Sequence, residues 1–464
     1  MENTLDRDQL YDETLGDLLE LLEDKQYFRA RDLLLKFNPA DIADLLEDIS
    51  DDAGLRMTVV LFRLLPKDVS VDVFAELSPE DQMDIVSEVT EKETSFIVNE
   101  LDFDDKIDIL EEMPANLVTR ILEKTPASER KQINTFLNYP DNTAGSLMTP
   151  EYVSVKKDWT VKESLQHIRS FGTDAETIYT CYVRDGSWRL LGVVSLSTIV
   201  LSDEDTKIMD IMHTDVVSEN VDADQEEVSD DFKKYGYIAM PVVDKDDRLV
   251  GIITVDDILD VMEDEATEDI ERMNGVIDFE DARKSYMDLS VWQHTKNRLP
   301  WLLILTVVYV LTGLIINHND HMLSAAIQLV TYIPLLMGTG GNCGSQAASL
   351  IIRGLATDEV EIEDWAKVLW KEIRVGLLIG VILSVVNFAR VRFLDSQGIM
   401  MGLTVCAAMF FITIIAKVIG SMIPLLVKRV RLDPALIANP AITSISDAAA
   451  LLVYFAMAAL VLHL

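Results

Sequence analysis

The sequence predicts a multidomain membrane protein: an acidic all-α N-terminal region, an internally duplicated α/β region and a bundle of five apolar helices. Two observations support this prediction. The 464 residues carry a formal net charge of −39 although 49% of them are hydrophobic. Of the 79 Asp and Glu residues only 11 lie from Tyr286 onward, where 12 of the 40 Lys and Arg residues balance them. Because the negative charge and the apolar excess occupy different parts of the chain, one soluble domain does not explain both.

Residues 1–140 are predicted to form a helical domain with an apolar core and an acidic surface. Apolar residues recur at the spacing of one helix face, as in Ile42, Leu45, Leu46 and Ile49. A Pro-x-Asp unit followed by an amphipathic run recurs at Pro39-Ala-Asp41 and Pro66-Lys-Asp68. Proline is well placed just inside a helix start. The repetition predicts a superhelix of loose helical repeats.

Residues 141–264 contain two copies of one pattern. The first copy begins Leu147-Met148-Thr149-Pro150, and the second begins Ile211-Met212-His213-Thr214. Each copy continues with a predicted helix and a strand, and each closes on a glycine (Gly192 and Gly251) that is followed by an apolar strand and a helix. In order and spacing the two copies resemble a tandem pair of CBS domains.

The resemblance to CBS pairs implies a regulatory module whose cleft binds ATP or another adenine nucleotide. The residues that it implies as nucleotide ligands are Thr254, Asp257 and Tyr179. In the first copy Ser195 and Thr198 leave no acidic residue at the equivalent position. We therefore expect one usable nucleotide site at most.

Residues 265–298 are predicted to form a connecting helix and linker, and residues 299–464 a transmembrane domain. Each of five segments holds enough apolar residues to cross a bilayer. The second is interrupted by Pro334 and by a glycine-rich run. The predicted spans are Leu299–Asn317, Leu323–Leu355, Leu369–Ala389, Met401–Val427 and Pro434–Leu462.

Charge at the flanks of the spans predicts a cytoplasmic N-terminus and an outer C-terminus in the cell membrane. The start of the chain has no basic segment followed by an apolar one, so we expect no cleaved signal. Basic residues mark the cytoplasmic side of membrane proteins. The predicted outer side has only Arg390 and Arg392, whereas the inner side has Lys296, Arg298, Arg353, Lys367, Lys371, Arg374, Lys428, Arg429 and Arg431.

Polar residues at membrane depth indicate an ion path, because such residues are costly in lipid and usually face a cavity or a partner helix. In the second span these residues are Asn342 and Gln346, which follow Gly338-Thr-Gly-Gly. In the fifth span Asn439, Thr443 and Asp447 recur at helical spacing, on one face. Two alternatives remain: the glycines serve close helix packing, and Asp447 forms a salt bridge with Lys417 of the fourth span.

The whole chain closely resembles the MgtE family of magnesium channels or transporters. The most specific stretches are Pro334 through Gln346, Asp433-Pro434-Ala435, Asn439-Pro440 through Asp447, and Val255 through Asp269. The resemblance implies a homodimer in the lipid bilayer with a pore on its two-fold axis, a bound hydrated Mg²⁺ and closure by cytosolic Mg²⁺. The regulatory Mg²⁺ ligands that it implies are Asp224, Asp257, Asp260, Glu265, Glu268, Asp269 and Asp433. The sequence departs from the family at Gly236, where a relative has an acid.

Other classes of protein fit the sequence less well. The acidic charge argues against nucleic acid as a partner. An anion channel with CBS domains would have the CBS pair after its membrane domain, and an acid in the pore disfavours anions. We find no P-loop, no HExxH and no pairing of a nucleophile with a base, so an enzyme is not expected; His318 and His321 are a weak metal signal in a solvated loop. An ion-coupled secondary transporter of Co²⁺ or Mn²⁺ remains open.

Overall fold

The structure is a computed structural model that describes residues 2–173, 175–276, 286, 289–357, 359–434 and 439–463, with side chains from residue 9 onward. It divides into two compact units, Met1–Met262 and Glu263–Leu464.

The first unit begins with ten helices, which confirms the predicted all-α region. Helices that are two apart in the chain pack on each other, α3 with α5, α4 with α6, α5 with α7 and α6 with α8, as expected of a superhelix of repeats. The helices are α1 (Glu2–Glu23), α2 (Tyr27–Leu34), α3 (Pro39–Ala53), α4 (Leu55–Leu64), α5 (Lys67–Ala75), α6 (Pro79–Glu88), α7 (Glu91–Glu100), α8 (Phe103–Glu112), α9 (Ala115–Lys124) and α10 (Ala127–Phe136).

Capping residues fix where several of these helices begin. The Ser78 side chain accepts a hydrogen bond from the Asp81 N–H, with Pro79 in the first turn of α6. Thr90 and Glu93 form a reciprocal capping box at the start of α7. Such caps satisfy N–H groups that have no partner inside the helix. Helix α3 buries the apolar face that its periodicity predicts, and its Leu45, Leu46 and Ile49 are fully buried.

The duplicated region forms two similar α/β copies. In each copy the first two strands are parallel and the last two antiparallel, giving the sheets β1-β2-β3 and β4-β5-β6. The first copy comprises α11 (Ala144–Leu147), β1 (Tyr152–Lys156), α12 (Val161–Phe171), β2 (Thr177–Arg184), β3 (Leu190–Ser195) and α13 (Leu196–Leu201). The second comprises α14 (Ile208–Ile211), β4 (Glu219–Asn220), α15 (Gln225–Tyr235), β5 (Ala239–Val243), β6 (Leu249–Thr254) and α16 (Val255–Met273).

The opening segment of each copy pairs with the last strand of the other copy. Thr149 pairs with Ile252 in β6, and His213 pairs with Val193 in β3. The two glycines of the repeat make this exchange possible. A Cβ at Gly251 would lie 2.7 Å from Met148 Sδ, and one at Gly192 would collide with the His213 carbonyl oxygen. The repeated methionine of each copy thus packs against the repeated glycine of the other copy: Met148 against Gly251, and Met212 against Gly192.

Gly236, the position at which the sequence departs from the family that it resembles, ends α15. Its φ is +65° and it lies in the left-handed region as the helix cap. Glycine adopts this conformation without the strain that a side chain brings.

The second unit consists mainly of long apolar helices. They are α17 (Val291–His318), α18 (Asp320–Ala325), α19 (Leu329–Ala356), α20 (Trp365–Ala389), α21 (Ile399–Arg429) and α22 (Asn439–Leu462). Four helical segments in the described part of the chain are long and apolar enough to cross a membrane: Val291–His318, Ile362–Leu394, Ile399–Arg429 and Asn439–Leu462. Helix α19 matches them in length, but its polar and glycine residues make it less apolar.

The structure corrects the expected interruption of the second predicted span. Helix α19 runs without a break through Pro334 and through the glycine-rich run that ends at Gln346. Membrane helices tolerate proline and glycine where neighbouring helices cover the backbone. Gly340, Gly341 and Gly344 of α19 do meet neighbouring helices, as described below.

The expected connecting helix is only partly within the described residues. Helix α16 continues out of the second CBS copy to Met273, and α17 starts again at Val291. Residues 277–285 and 287–288 of the predicted connector lie outside the described residues, as do residues 435–438 of the predicted fifth span.

Candidate functional site

Three glycines bring α19 into close contact with α22. A Cβ at Gly341 would lie 2.6 Å from Thr443 Cγ2 and 3.1 Å from Asp447 Oδ1, and one at Gly344 would lie 2.5 Å from Ser446 Oγ. A Cβ at Gly340 would meet Ala450 at 3.2 Å. The two helices approach this closely because small residues face each other. The packing role that the sequence left open for the glycines is therefore confirmed for these three.

Hydroxyl groups continue the contact toward the N-terminal end of α22. Ser345 Oγ and Thr443 Oγ1 are 2.8 Å apart, and Ser349 donates to Asn439 Oδ1 at 3.4 Å. The Thr443 hydroxyl also donates to the Asn439 carbonyl oxygen of its own helix at 2.9 Å. The structure thus joins Asn439 and Thr443, both named from sequence, to Ser345 and Ser349, which the sequence reasoning missed. Their serine spacing of four, on a helix that already held polar residues, was the available signal.

Asp447 is buried, with 7% of its surface exposed, and its Oδ1 atom has no hydrogen-bond partner. It lies beside Gly341, the residue that precedes Asn342. In the described residues no ion pair joins it to Lys417, so the salt bridge considered from sequence is not formed. An unpaired carboxylate in this position is costly. It is therefore the strongest candidate for a cation ligand in the unit.

Asn342 and Gln346 lie on the exposed side of α19 in the single chain. With Gly338 they recur every four residues and form one stripe, and all three are exposed. A polar stripe on a membrane helix does not suit contact with lipid. The stripe therefore needs a partner or water.

The first unit holds a cluster of carboxylates between α8 and the CBS pair. Carboxylate oxygens of Asp102, Glu151 and Glu176 lie within 4.8 Å of one another. Lys106 is buried nearby and pairs with Glu129 at 3.2 Å, so its charge is already engaged. Asp102, Glu151 and Glu176 were not named from sequence, because the fold brings together residues that are far apart in the chain.

Burial and mutual repulsion raise the pKa of Glu176 in this cluster and of three acids near it, Asp104, Asp105 and Asp257. Burial, followed by the charge of Asp104, raises the pKa of Asp257 to about 7 and the pKa of Asp105 to about 7. Burial raises the pKa of Asp104 to about 6, and burial with the charges of Asp104 and Asp102 raises the pKa of Glu176 to about 8. A bound divalent cation would relieve this repulsion, and carboxylate oxygens are the ligands that Mg²⁺ prefers.

The other predicted regulatory acids lie at separate places. In the first unit Asp224 caps α15 by accepting the Glu226 N–H at 3.0 Å, and Asp260 is exposed on α16. In the second unit burial, then Asp433 and Glu265, raises the pKa of Asp269. There Arg272 pairs with Glu268, and also with Asp433 at 3.5 Å. A basic residue therefore accompanies the predicted acids of the second unit.

The predicted nucleotide ligands lie at the end of β6 and on β2. The Thr254 hydroxyl donates to Asp257 Oδ2 at 2.7 Å, across the start of α16. The Tyr179 side chain is 67% exposed. In the first copy Ser195 meets Thr198 at 2.8 Å, with hydroxyls only. The structure thus joins Thr254 to Asp257 and keeps the difference between the copies that the sequence indicated.

The fold and these sites define a class of protein: a multi-pass membrane protein with a helical domain and a CBS pair ahead of its membrane helices. Comparison with known families agrees. Residues 333–457 match the family MgtE, described as a divalent cation transporter, and residues 37–142 match the MgtE intracellular N domain. Residues 144–204 and 208–264 match the CBS domain.

Full-length relatives establish the family. The chain is 39% identical over 450 residues to the magnesium transporter MgtE of Thermus thermophilus, covering 96% of this chain and 98% of the relative. It is 31% identical over 453 residues to the magnesium transporter MgtE of Bacillus subtilis, covering 98% of each. The chain belongs to the MgtE family of magnesium transporters. It is a multi-pass membrane protein with a cytosolic N-terminal domain.

A solved structure resembles the first unit. It is the cytosolic domain of the Mg²⁺ channel MgtE in complex with ATP, 37% identical, with a TM-score of 0.50. The likeness covers 53% of this chain and 99% of the solved one.

Proposed function

We propose that this protein is a Mg²⁺-selective channel that mediates magnesium uptake and closes when cytosolic Mg²⁺ rises. The observation that supports it most directly is the buried carboxylate of Asp447. Its Oδ1 atom has no hydrogen-bond partner, and the side chain lies beside the polar stripe of α19. The proposal places five spans in each chain, α19 being the one that is less apolar, and the C-terminus outside.

The chemistry of Mg²⁺ suits this group of residues. The ion prefers octahedral oxygen coordination and gives up its water reluctantly. Asp447 supplies charge, while Asn342, Gln346, Asn439 and Thr443 supply amide and hydroxyl groups for the waters of the ion. A site of this kind selects the hydrated ion without stripping it.

The stripe on α19 supports a homodimer with the path between its subunits. Asn342 and Gln346 are exposed in the single chain. Around a two-fold axis the same stripe of a second copy would face them. Two Asp447 carboxylates would then match the charge of one divalent cation.

The regulatory proposal follows from the acids outside the membrane. Asp257, with Asp104 and Asp105, resists ionisation because the carboxylates are buried together. Mg²⁺ bound to these acids would stabilise a compact form of the cytosolic domain. The ion shifts the channel toward closure only by binding the closed form more tightly. Asp224, Asp260, Glu265, Glu268, Asp269 and Asp433 are the further proposed regulatory ligands.

An adenine nucleotide is the proposed second regulator. The Thr254–Asp257 pair and the exposed Tyr179 offer a hydroxyl, a carboxylate and a ring to such a ligand. The ATP complex of the similar cytosolic domain supports this proposal.

Flux measurements test the proposal. Proteoliposomes that contain the purified protein should take up Mg²⁺. The uptake should fall as the Mg²⁺ concentration on the side of the cytosolic domain is raised. Asp447→Asn should abolish the flux, whereas Asp320→Asn, at an exposed acid in the loop helix α18, should keep it. Full flux in Asp447→Asn would contradict the assigned site.

Electrical recording separates the channel from an ion-coupled transporter of Co²⁺ or Mn²⁺, for which a lone intramembrane acid would also serve. Single-channel steps carried by Mg²⁺ support the channel. Flux that needs a proton or Na⁺ gradient would support the coupled transporter instead.

A further inference from the structure

Lys417 is a buried cation in the middle of α21, with 4% of its surface exposed. It forms no ion pair with any residue that the structure describes. Its neighbours Ala416 and Gly420 pack against Gly344 of α19, so the lysine lies inside the bundle. An unpaired buried charge is strongly destabilising, so Lys417 needs an acid.

Two acids of the second unit are buried and are therefore candidates for this partner. One is Asp447 on α22, the proposed ion ligand. The other is Glu372 on α20, which is 9% exposed and whose Oε2 atom has no hydrogen-bond partner. One lysine can neutralise one of these acids, and which one it neutralises decides whether Asp447 is free to bind a cation.

The register of α20 against α21 places Glu372 within one residue of the position opposite Lys417. The two helices run antiparallel: a Cβ at Gly376 would lie 3.1 Å from Ile414 Cα, and one at Gly380 would lie 3.2 Å from the Phe410 carbonyl oxygen. The Ser384 hydroxyl donates to the Cys406 carbonyl oxygen at 2.9 Å, one further turn along. Each step of four on α20 therefore matches a step of four on α21.

Continuing this register by one turn in the other direction brings residue 372 to residue 418, next to Lys417. Glu372, Gly376 and Gly380 are all buried and recur every four residues, so they lie on the face of α20 that packs on α21. Glu372 and Lys417 form no direct ion pair in the structure, and Glu372 Oε2 has no hydrogen-bond partner. Neighbouring helices are about 8–10 Å apart, a span that two long side chains can bridge through one water.

We propose that Glu372 is the counter-ion of Lys417 and that the pair keeps Asp447 unpaired and available to Mg²⁺. Glu372 is thus a positioning residue for the ion site: it acts through Lys417 and does not touch the ion. The proposal rests on the proposed role of Asp447 in the ion path. It accounts for a lysine close to a cation site.

Loss of Glu372 should turn Lys417 toward Asp447, because the buried ammonium then has one acid left. In Glu372→Gln we expect Mg²⁺ flux into proteoliposomes to fall by about tenfold or more, since breaking a buried charge pair carries a large penalty. Glu372→Gln combined with Lys417→Met should recover most of the flux, because the competing cation is gone. Glu363→Gln, at an exposed acid that precedes α20, is the matched control and should behave as wild type.

A second measurement does not depend on transport. Thermal unfolding of the full-length protein in detergent, with and without Mg²⁺, reports both the pair and the ion site. Glu372→Gln and Lys417→Met should each lower Tm, and the double variant should lose less than the two single losses together. The Mg²⁺-dependent rise in Tm should shrink in Glu372→Gln and return in the double variant.

The outcomes separate this inference from the proposed function. Additive losses of Tm, or a double variant with no more flux than Glu372→Gln, would overturn the pairing even if Asp447→Asn abolishes flux. Non-additive losses of Tm together with unchanged flux in Glu372→Gln and in Asp447→Asn would uphold the pairing and remove Asp447 from the ion path, and with it the role assigned to the pair.

Discussion

Asp447 and Gly341 touch across the α19–α22 contact: a Cβ on Gly341 would lie 3.1 Å from Asp447 Oδ1. The carboxylate is thus held against the backbone of α19. The absence of a side chain at Gly341 leaves the space that Asp447 and Thr443 occupy, so this glycine sets the position of the proposed ion ligand.

Gly341→Ala is therefore expected to disturb the site. The added methyl would lie 2.6 Å from Thr443 Cγ2, so α22 must move or the side chains must leave their rotamers, at a cost of roughly 1–3 kcal/mol. We expect a lower Tm and a loss of most of the Mg²⁺ flux. Gly313→Ala is the matched control, because Gly313 lies in another apolar helix, α17, and a Cβ there meets nothing within 4 Å. Equal flux in the two variants would contradict the close contact.

The acids of the cytosolic domain predict that stability depends on pH. The pKa values of Asp104, Asp105, Asp257 and Glu176 are raised to about 6, 7, 7 and 8, above the ordinary values of about 4. The folded domain therefore binds more protons than the unfolded chain between about pH 4 and pH 8. The stability from these groups is fully present below about pH 4 and is lost as pH rises through their folded pKa values.

In a chelating buffer we expect the Tm of the full-length protein to fall between pH 5.5 and pH 8, and Mg²⁺ at pH 8 to reverse part of the fall. Each extra bound proton corresponds to about 1.4 kcal/mol per pH unit. Asp257→Asn should reduce both the fall and the effect of Mg²⁺, because it removes one of the repelling charges. Asp205→Asn, at an exposed acid elsewhere in the domain, should change neither. An identical pH response in wild type and Asp257→Asn would show that these buried acids do not set the pH dependence of stability.

The sequence predicted the order of the regions, the repeat and the approximate helices because each depends on local patterns. Apolar periodicity marks α3, and the repeated Met and Gly mark the two CBS copies. The first span was predicted shorter than its helix at the polar end: α17 begins at Val291, whereas the first apolar run begins at Leu299. Hydropathy measures where a helix is apolar, not where it starts.

The sequence did not predict features that depend on long-range packing. Glycine at 341 and 344 suggests a break when it is considered alone, yet in α19 these residues serve contacts with α22 and the helix is continuous. The cluster of Asp102, Glu151 and Glu176 joins residues from three separate segments. The sequence does not distinguish Glu372 from the other charged residues of its segment, since only the packing of α20 in the structure shows that it is buried.

Nucleotide binding is predicted to depend on the second CBS copy alone. Thr254 donates to Asp257 at 2.7 Å and orients a carboxylate that can accept hydrogen bonds from a nucleotide, whereas in the first copy Thr198 meets only the Ser195 hydroxyl. A ligand that binds the folded state raises its stability in proportion to RT ln(1 + [L]/Kd). ATP should therefore raise the Tm of the wild type and of Thr198→Ala, and raise the Tm of Thr254→Ala much less.

The two threonine variants are matched, since each removes one hydroxyl from the turn between a last strand and its helix. Tm is best measured in full-length protein at pH 7 with ATP varied, first in a chelating buffer and then with Mg²⁺ present. If Thr198→Ala loses the ATP response as fully as Thr254→Ala, the nucleotide uses both copies. A Thr254→Ala protein that keeps the whole response would place the nucleotide elsewhere, because the hydroxyl and the carboxylate it orients would then take no part in binding.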